Sequence, residues 1–496
     1  IIALPLILFF LFKNKKLIVA LKYLFFAIIT CFLIDLPFLF SEGFIQMVLL
    51  NSKQTLLFDS FYTIGSANIL FPVAAVLLVY FHFFNQVKVN NDLLYFYFGV
   101  LFTVLIGLIY SGSGWYVWMV PFLSMYFIKN DNLKNRLLYM SLSLSYLVFF
   151  ITFYNSDYQE VLFFNNEIFY KIDNQKLSDL SFTILEVILL VSMLVFYKYG
   201  IKSNSIYNRK LNLVIGIGGD SGVGKTRLLK NLKSLLGDKI LEIEGDGEHK
   251  WERGNDNWNK FTHLDPKANN IHKQSDAIYN LKHNKVIYRS DYDHDTGNFS
   301  DAKKVLPKEF IIIAGLHPFY LPRLRKNIDL KIYIDTDENL RRHWKIIRDT
   351  RNRGYSFDKI IKQIEIRKSD TIKYIYPQKE FSDVVIKYYS LNSFCLGNEN
   401  ESISLGLRIT IDANIHLESI VNKLKINFVW DYNDDPKTQF IEIESEPEIN
   451  FQELAETFIP NINELTFSSV NWERGYEGLV QLILLIMISE KLKDNE

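Results

Sequence analysis

Residues 211–226, LNLVIGIGGDSGVGKT, run a short apolar, β-rich segment directly into a glycine loop, and the helical pattern RLLKNLKSLL follows at 227–236. Strand, glycine loop and helix, in that order, form the setting in which Gly219, Asp220, Ser221, Gly222, Val223, Gly224, Lys225 and Thr226 read as a phosphate-binding loop. Glycines let successive backbone N–H groups turn inward around a β-phosphate, Lys225 reaches the β- and γ-phosphates, and the Thr226 hydroxyl ligates Mg²⁺. The start of the following helix adds a favourable field for the anion. A plain glycine turn joining strand to helix would not need the complete motif, so the segment predicts binding of a nucleoside triphosphate with Mg²⁺.

Working outward, β-rich runs at 211–217, 239–244, 310–314 and 329–334 alternate with helical stretches at 225–236, 270–283 and 336–350. That alternation predicts a parallel α/β sheet with phosphates bound at the carboxyl ends of its strands. After about residue 390 the pattern changes. LGLRITIDA, INFVWDY and IEIESEP read as strands and 475–490 as an apolar helix, whose run Leu479–Ile488 is too short to span a bilayer and reads as buried, which together predict a small α+β appendage.

The overall charge is balanced, with Lys+Arg 55 against Asp+Glu 55, but the balance conceals a split. Residues 1 to 200 are crowded with Leu, Phe, Ile and Tyr, and most charges come later. Apolar runs at 1–12, 17–40, 61–84, 93–110, 114–128, 137–154 and 181–199 predict about seven membrane helices, a span needing roughly 17 to 25 residues. The first begins at Ile1 inside an apolar run, so a preceding N-terminal segment is expected. Lys13, Lys15, Lys16, Lys88, Lys129, Lys134, Arg136, Lys198, Lys202, Arg209 and Lys210 fall in alternate loops, and the 155–180 loop is acidic. Basic residues are retained on the cytoplasmic side, so everything after residue 200 is expected in the cytosol, with the lipid bilayer as a partner. Asp35 and Glu186 lie within apolar runs, where a carboxylate is costly unless it finds a partner or an interface. The stretch 114–123 (GWYVWMVPFL) is weakly similar to the late helices of membrane glycosyltransferases that use polyprenyl-linked sugars.

Only Cys31 and Cys395 occur, too few for a disulfide framework or a cysteine metal site. Basic residues after position 200 are interspersed with acids, which predicts no nucleic-acid binding.

The residues downstream of the glycine loop carry a resemblance. GDGEHKWER (245–253), LDPKANN (264–270), YDHDTG (292–297), IAGLHP (313–318), WKIIRD (344–349), RGY (353–355), YPQK (376–379) and GYEGLVQ (475–481) stand in the order and at the spacing of the phosphoribulokinase/uridine kinase family. The chain resembles that family over roughly 211–490, on the phosphoribulokinase side. The resemblance implies an ATP-dependent kinase acting on a sugar phosphate. It implies Asp246 as catalytic base and, with Thr226, as metal ligand, with His249, Arg253 and His294 contacting the acceptor's phosphate. Read from the residues themselves, Asp246 ends a strand near the glycine loop. Lys345, Arg348 and Arg353 lie on a helix and its exit, where they can close over a transferring phosphoryl group, with Asp349 orienting an arginine.

The resulting organisation is an all-α polytopic transmembrane region at 1–200, an α/β P-loop kinase domain with a parallel sheet at 205–390, and an α+β C-terminal region at 391–496. A homodimer is left open. Two departures from the family bear on the site: Ala314 stands where its members have a glutamate that supports Mg²⁺, and Gly247-Glu248 replace larger, less charged neighbours of the aspartate. Two other readings therefore stand beside the sugar-phosphate kinase, a uridine or nucleoside kinase and a nucleotide-binding pseudokinase that regulates a membrane glycosyltransferase-like domain.

Overall fold

The structure, a computed structural model, describes every residue except 1, 15–16, 51, 110–112, 153–174, 205–208, 294–295, 425, 460–461, 467–469 and 494–496. The chain divides into two compact units, Ile1–Asn208 and Arg209–Glu496.

In the first unit the apolar runs become α1 (Leu4–Asn14), α2 (Leu17–Asp35), a single turn α3 (Glu42–Phe44), α4 (Phe71–Phe84), α5 (Asn91–Leu108), α6 (Val120–Lys129), α7 (Leu133–Thr152) and α8 (Gln175–Asn204). Among the described residues, three helical stretches are long and apolar enough to cross a membrane by length and composition: Ile18–Phe38, Asn91–Leu108 and Lys176–Asn204. The run at 61–84 is not one span. Its first part is a hairpin of β1 (Phe61–Ile64) and β2 (Ala67–Leu70), turned at Gly65 with φ +62°, and α4 starts only at Phe71 with Pro72 in its first turn. The run at 114–128 is likewise divided between a 3₁₀ segment, Ser113–Met119, and the ten-residue α6. Tyr97, Phe83 and Leu101 form one core of this unit, and Phe149, Phe196 and Leu185 another. Ile18, Phe25 and Phe32 of α2 remain exposed. Asp35 is the last residue of α2, and Glu186 accepts a hydrogen bond from Tyr116 Oη at 2.6 Å, which gives its carboxylate a partner. The acidic loop residues Asp157, Glu160, Glu167 and Asp173 lie outside the described residues.

The second unit is built on one eight-stranded sheet. Its parallel part runs β4 (Ile240–Glu244), β7 (Phe310–Ala314), β3 (Leu213–Gly218), β8 (Leu330–Thr336) and β9 (Val384–Ser390). Three antiparallel strands continue it beyond β9: β10 (Leu405–Asp412), β12 (Thr438–Ile443) and β11 (Phe428–Tyr432). The late strands thus extend the main sheet and do not form a body of their own. A small ribbon of β5 (Ile287–Arg289) and β6 (Lys303–Val305) stands apart.

Every residue of β3 is buried, the mark of a central parallel strand covered on both faces. On one face Val214, Ile243, Ile311 and Ile313 pack with Ile271, Ile278 and Leu281 of α10 (Ile271–Lys282) and with Leu324 of the short α11 (Pro322–Arg325). The other face meets α9 (Lys225–Leu236) and the late helix α17 (Gly475–Lys493). Beyond β8 come α12 (Glu338–Arg353) and α13 (Phe357–Asp370), and short helices α14 (Glu418–Val421), α15 (Phe451–Phe458) and α16 (Ile462–Leu465) fill the C-terminal part. The glycine loop therefore leaves the middle of the sheet at its carboxyl edge, where α/β proteins of this kind bind ligands.

Candidate active site

The loop between β3 and α9 is held open by backbone that only glycine adopts easily. Gly222 has φ +92°, and a Cβ there would lie 2.9 Å from Lys345 Cβ, so the loop and α12 touch through the missing side chain. Lys225 curls over the loop and donates to the carbonyl oxygens of Gly219 and Asp220, each at 2.8 Å. Desolvation lowers its pKa from the usual lysine value, opposed by Asp246 and Asp220 nearby. An ammonium with its charge so poorly solvated gains most from an incoming phosphate. Thr226 is exposed at the first turn of α9.

Helix α12 presents a basic face to the loop. Its N-cap Asp337 accepts from Asn339 N and Leu340 N, and the spacing i, i+4, i+7 then carries Arg341, Lys345 and Arg348 onto one side. Arg341 donates to the Ser221 carbonyl at 3.1 Å, pairs with Asp220 at 3.1 Å and is braced by two 2.8 Å bonds to Glu338. Lys345 Nζ donates to Asp349 at 2.8 Å and to Ser221 Oγ at 3.4 Å; Arg348 donates to the same two residues at 2.9 and 3.3 Å. Asp349 is fully buried and so orients both cations, with Arg353 Nη1 at 3.7 Å as a looser third. Burial pulls the Lys345 ammonium down to about 8, against the opposing effect of Asp349.

Asp246 sits in a 3₁₀ turn, Gly245–Gly247, just past β4, and its Oδ1 accepts from Leu316 N at 3.1 Å beyond the end of β7. One carboxylate oxygen is thereby fixed by the backbone. A cleft of about 1400 Å³ joins this aspartate to Lys225, Thr226, Arg348, His249 and Arg253. His249 is buried, with Nδ1 2.7 Å from Asn269 Oδ1 and its ring against Trp258, His263 and Tyr292. Arg253 stands on the cleft wall, its backbone N–H donating to Gly297 O at 2.8 Å. Arg353 also borders the cleft. His294 lies outside the described residues.

Several participants escaped the reading from sequence. Arg341 shares the helix spacing of Lys345 and Arg348, a signal that was there to be used. His263 and Trp258 had no such signal, since they join the cleft through a long loop that only tertiary packing folds back on His249. His317, in the turn after β7, is buried and near Asp246 and Asp265; burial lowers it to about 4, those carboxylates pulling the other way, so it is neutral at pH 7.

Residues 214–394 match the model of the phosphoribulokinase / uridine kinase family. The chain is 38% identical to a phosphoribulokinase from Synechocystis sp. over 176 residues, 35% of this chain and 53% of that protein. It is 30% identical to a uridine kinase from Clostridium perfringens over 182 residues, 36% of this chain and 88% of that protein. Among solved structures, a phosphoribulokinase from Rhodobacter spheroides aligns over 57% of this chain and 100% of its own length, with 16% identity and a TM-score of 0.42. The chain spans about half the length of the phosphoribulokinases it matches first. The family match begins beyond the first unit.

Proposed function

The chain belongs to the phosphoribulokinase / uridine kinase family, and from that premise we propose that it transfers the γ-phosphoryl group of ATP to a hydroxyl of a phosphorylated pentose or related sugar. The observation that carries the reading is the single cleft joining Lys225 and Thr226 to Asp246 and to a wall with His249 and Arg253.

Phosphoryl transfer asks a protein for positioning and charge neutralisation more than for covalent chemistry. The glycine loop cradles the β-phosphate, and Lys225 leaves its loop carbonyls to reach the β- and γ-phosphates. Lys345 and Arg348, already aimed at Ser221 by Asp349, meet the charge on the moving phosphoryl. Asp246 takes the proton as the acceptor oxygen attacks phosphorus, the bond to the β-phosphate bridging oxygen breaks, and ADP departs. Its free oxygen is available for that role because Leu316 N engages the other. Arg253 supplies a cationic contact, and His249 a ring nitrogen able to hydrogen-bond, suited to a phosphate on the acceptor.

The donor set fits Mg²⁺, which takes oxygen ligands and retains several waters: the Thr226 hydroxyl and the Asp246 carboxylate would hold it. When bound, it supplies further neutralisation of the β- and γ-phosphates.

A nucleoside acceptor is the second reading. It is favoured by the coverage of the uridine kinase relatives and by the Trp258 and Tyr292 rings beside His249, against which a base could stack. We further propose a multi-pass protein with the kinase on the cytosolic side, a reading supported by the three apolar helices and by basic residues in alternate loops. The test is ADP formation with Mg·ATP across ribulose 5-phosphate, other pentose phosphates and uridine; a single preferred acceptor identifies the reaction.

A further inference from the structure

The carboxyl edge of the sheet carries an acidic side chain that the phosphoryl-transfer scheme has not used. Along β4 the side chains alternate: Ile243 enters the core with Val214, Ile311 and Ile313 against α10, while Glu242 and Glu244 point to the opposite face. That opposite face is the one covered by α9, because Lys233 of α9 pairs with Glu242 at 3.8 Å. Glu242 is thus answered by a cation. Glu244, two residues nearer the carboxyl edge and nearer the start of α9, is exposed, has no ion pair among the described residues, and borders the same cleft as Lys225, Thr226 and Asp246.

The register puts Glu244 opposite Ala314 of β7, and Ala314 opposite Ile217 of β3, the residue two before the glycine loop. A row of three therefore crosses the edge of the sheet beneath the phosphate site, and its middle member offers only a methyl group. Neighbouring strands lie about 4.8 Å apart, so Glu244 stands one strand spacing beyond Ala314.

We propose that Glu244 is the positioning carboxylate for the metal of Mg·ATP, accepting hydrogen bonds from the waters that the ion keeps and not displacing them. This rests on the kinase reading. Mg²⁺ sheds its waters reluctantly and is commonly held by one or two carboxylates together with substrate phosphates, an arrangement that an acid set back by one strand suits. Outer-shell partners of this sort hold a metal and its waters in register, and their removal weakens metal binding more than nucleotide binding.

The test uses the full chain purified in detergent, with Mn²⁺ as the probe. ATP binding is measured in the presence of a chelator, and Mn²⁺ affinity of the protein–ATP complex by electron paramagnetic resonance. Glu244→Gln is expected to weaken Mn²⁺ binding about tenfold or more while ATP binding under chelator stays at the wild-type value. Ala314→Glu added to Glu244→Gln is expected to restore Mn²⁺ affinity, and Glu242→Gln to leave it unchanged. Wild-type Mn²⁺ affinity in Glu244→Gln, with ATP bound, would overturn the role of Glu244 and leave the kinase reading standing. No ATP binding by the unmutated chain would overturn the nucleotide site and the inference with it.

Discussion

Asp246 has one oxygen tied to the backbone N–H of Leu316 and borders the cleft. Replacing it with asparagine keeps the first contact and removes the base. Asp246→Asn is expected to lower kcat by about 10²–10⁴-fold with ATP binding retained, as calorimetry alongside an ADP assay would read. Lys345 offers a second check at the same scale. Its ammonium titrates near 8 because it is buried, so above that pH the cation is lost and kcat/KM should fall about tenfold per pH unit. Stability moves the other way. An unfolded lysine still holds its proton between about 8 and 10.5, so the folded state gains as pH rises through that window, and the falling rate cannot be ascribed to alkaline unfolding at this residue. In Lys345→Arg the descending limb should disappear. At this scale the sequence was most informative where a motif ties a residue to its neighbours, as for Lys225, Thr226 and the Asp349 that gathers Lys345 and Arg348. It was least informative for His263, Trp258 and His317, whose roles arise from packing between segments far apart in the chain.

Among the elements, the contact between the glycine loop and α12 is the most sensitive. Gly222→Ala forces a left-handed φ on a residue with a Cβ and drives that Cβ against Lys345. A cost of about 1–3 kcal/mol is expected, read as a lowered Tm, together with weaker ATP binding. Helix α17 closes the far face of the second unit. Leu482 is fully buried, and Gln481 donates to Asn231 O and Ser234 Oγ of α9, each at 3.1 Å, so the helix is locked to the one that begins at Lys225. Leu482→Ala should cost about 2–5 kcal/mol of stability. The parallel strands and α9 were legible because each follows a local pattern of apolar run, turn and amphipathic helix. The joining of β10, β12 and β11 to the same sheet was not, since strand pairing depends on partners distant in sequence: Leu407 alone faces Tyr388 on one side and Ile443 on the other. The hairpin at 61–70 was hidden for a related reason. Phe61, Tyr62 and Ile64 are as apolar as a membrane helix, and only Gly65 and Pro72 betray the turn and the late start of α4.

At the scale of the whole molecule, an apolar first unit and a second unit carrying a phosphate-binding loop coexist in one chain. If the apolar helices span a bilayer, alkaline carbonate should leave the chain in the membrane pellet, and its release into the supernatant would contradict that proposal. The most direct measurement of the second unit's chemistry is ADP formation by the full chain with Mg·ATP, comparing ribulose 5-phosphate, other pentose phosphates and uridine, with Asp246→Asn in parallel. Turnover with a phosphorylated sugar that is lost in the variant is expected; ATP binding without turnover on any sugar phosphate, or equal turnover in Asp246→Asn, would contradict the kinase reading.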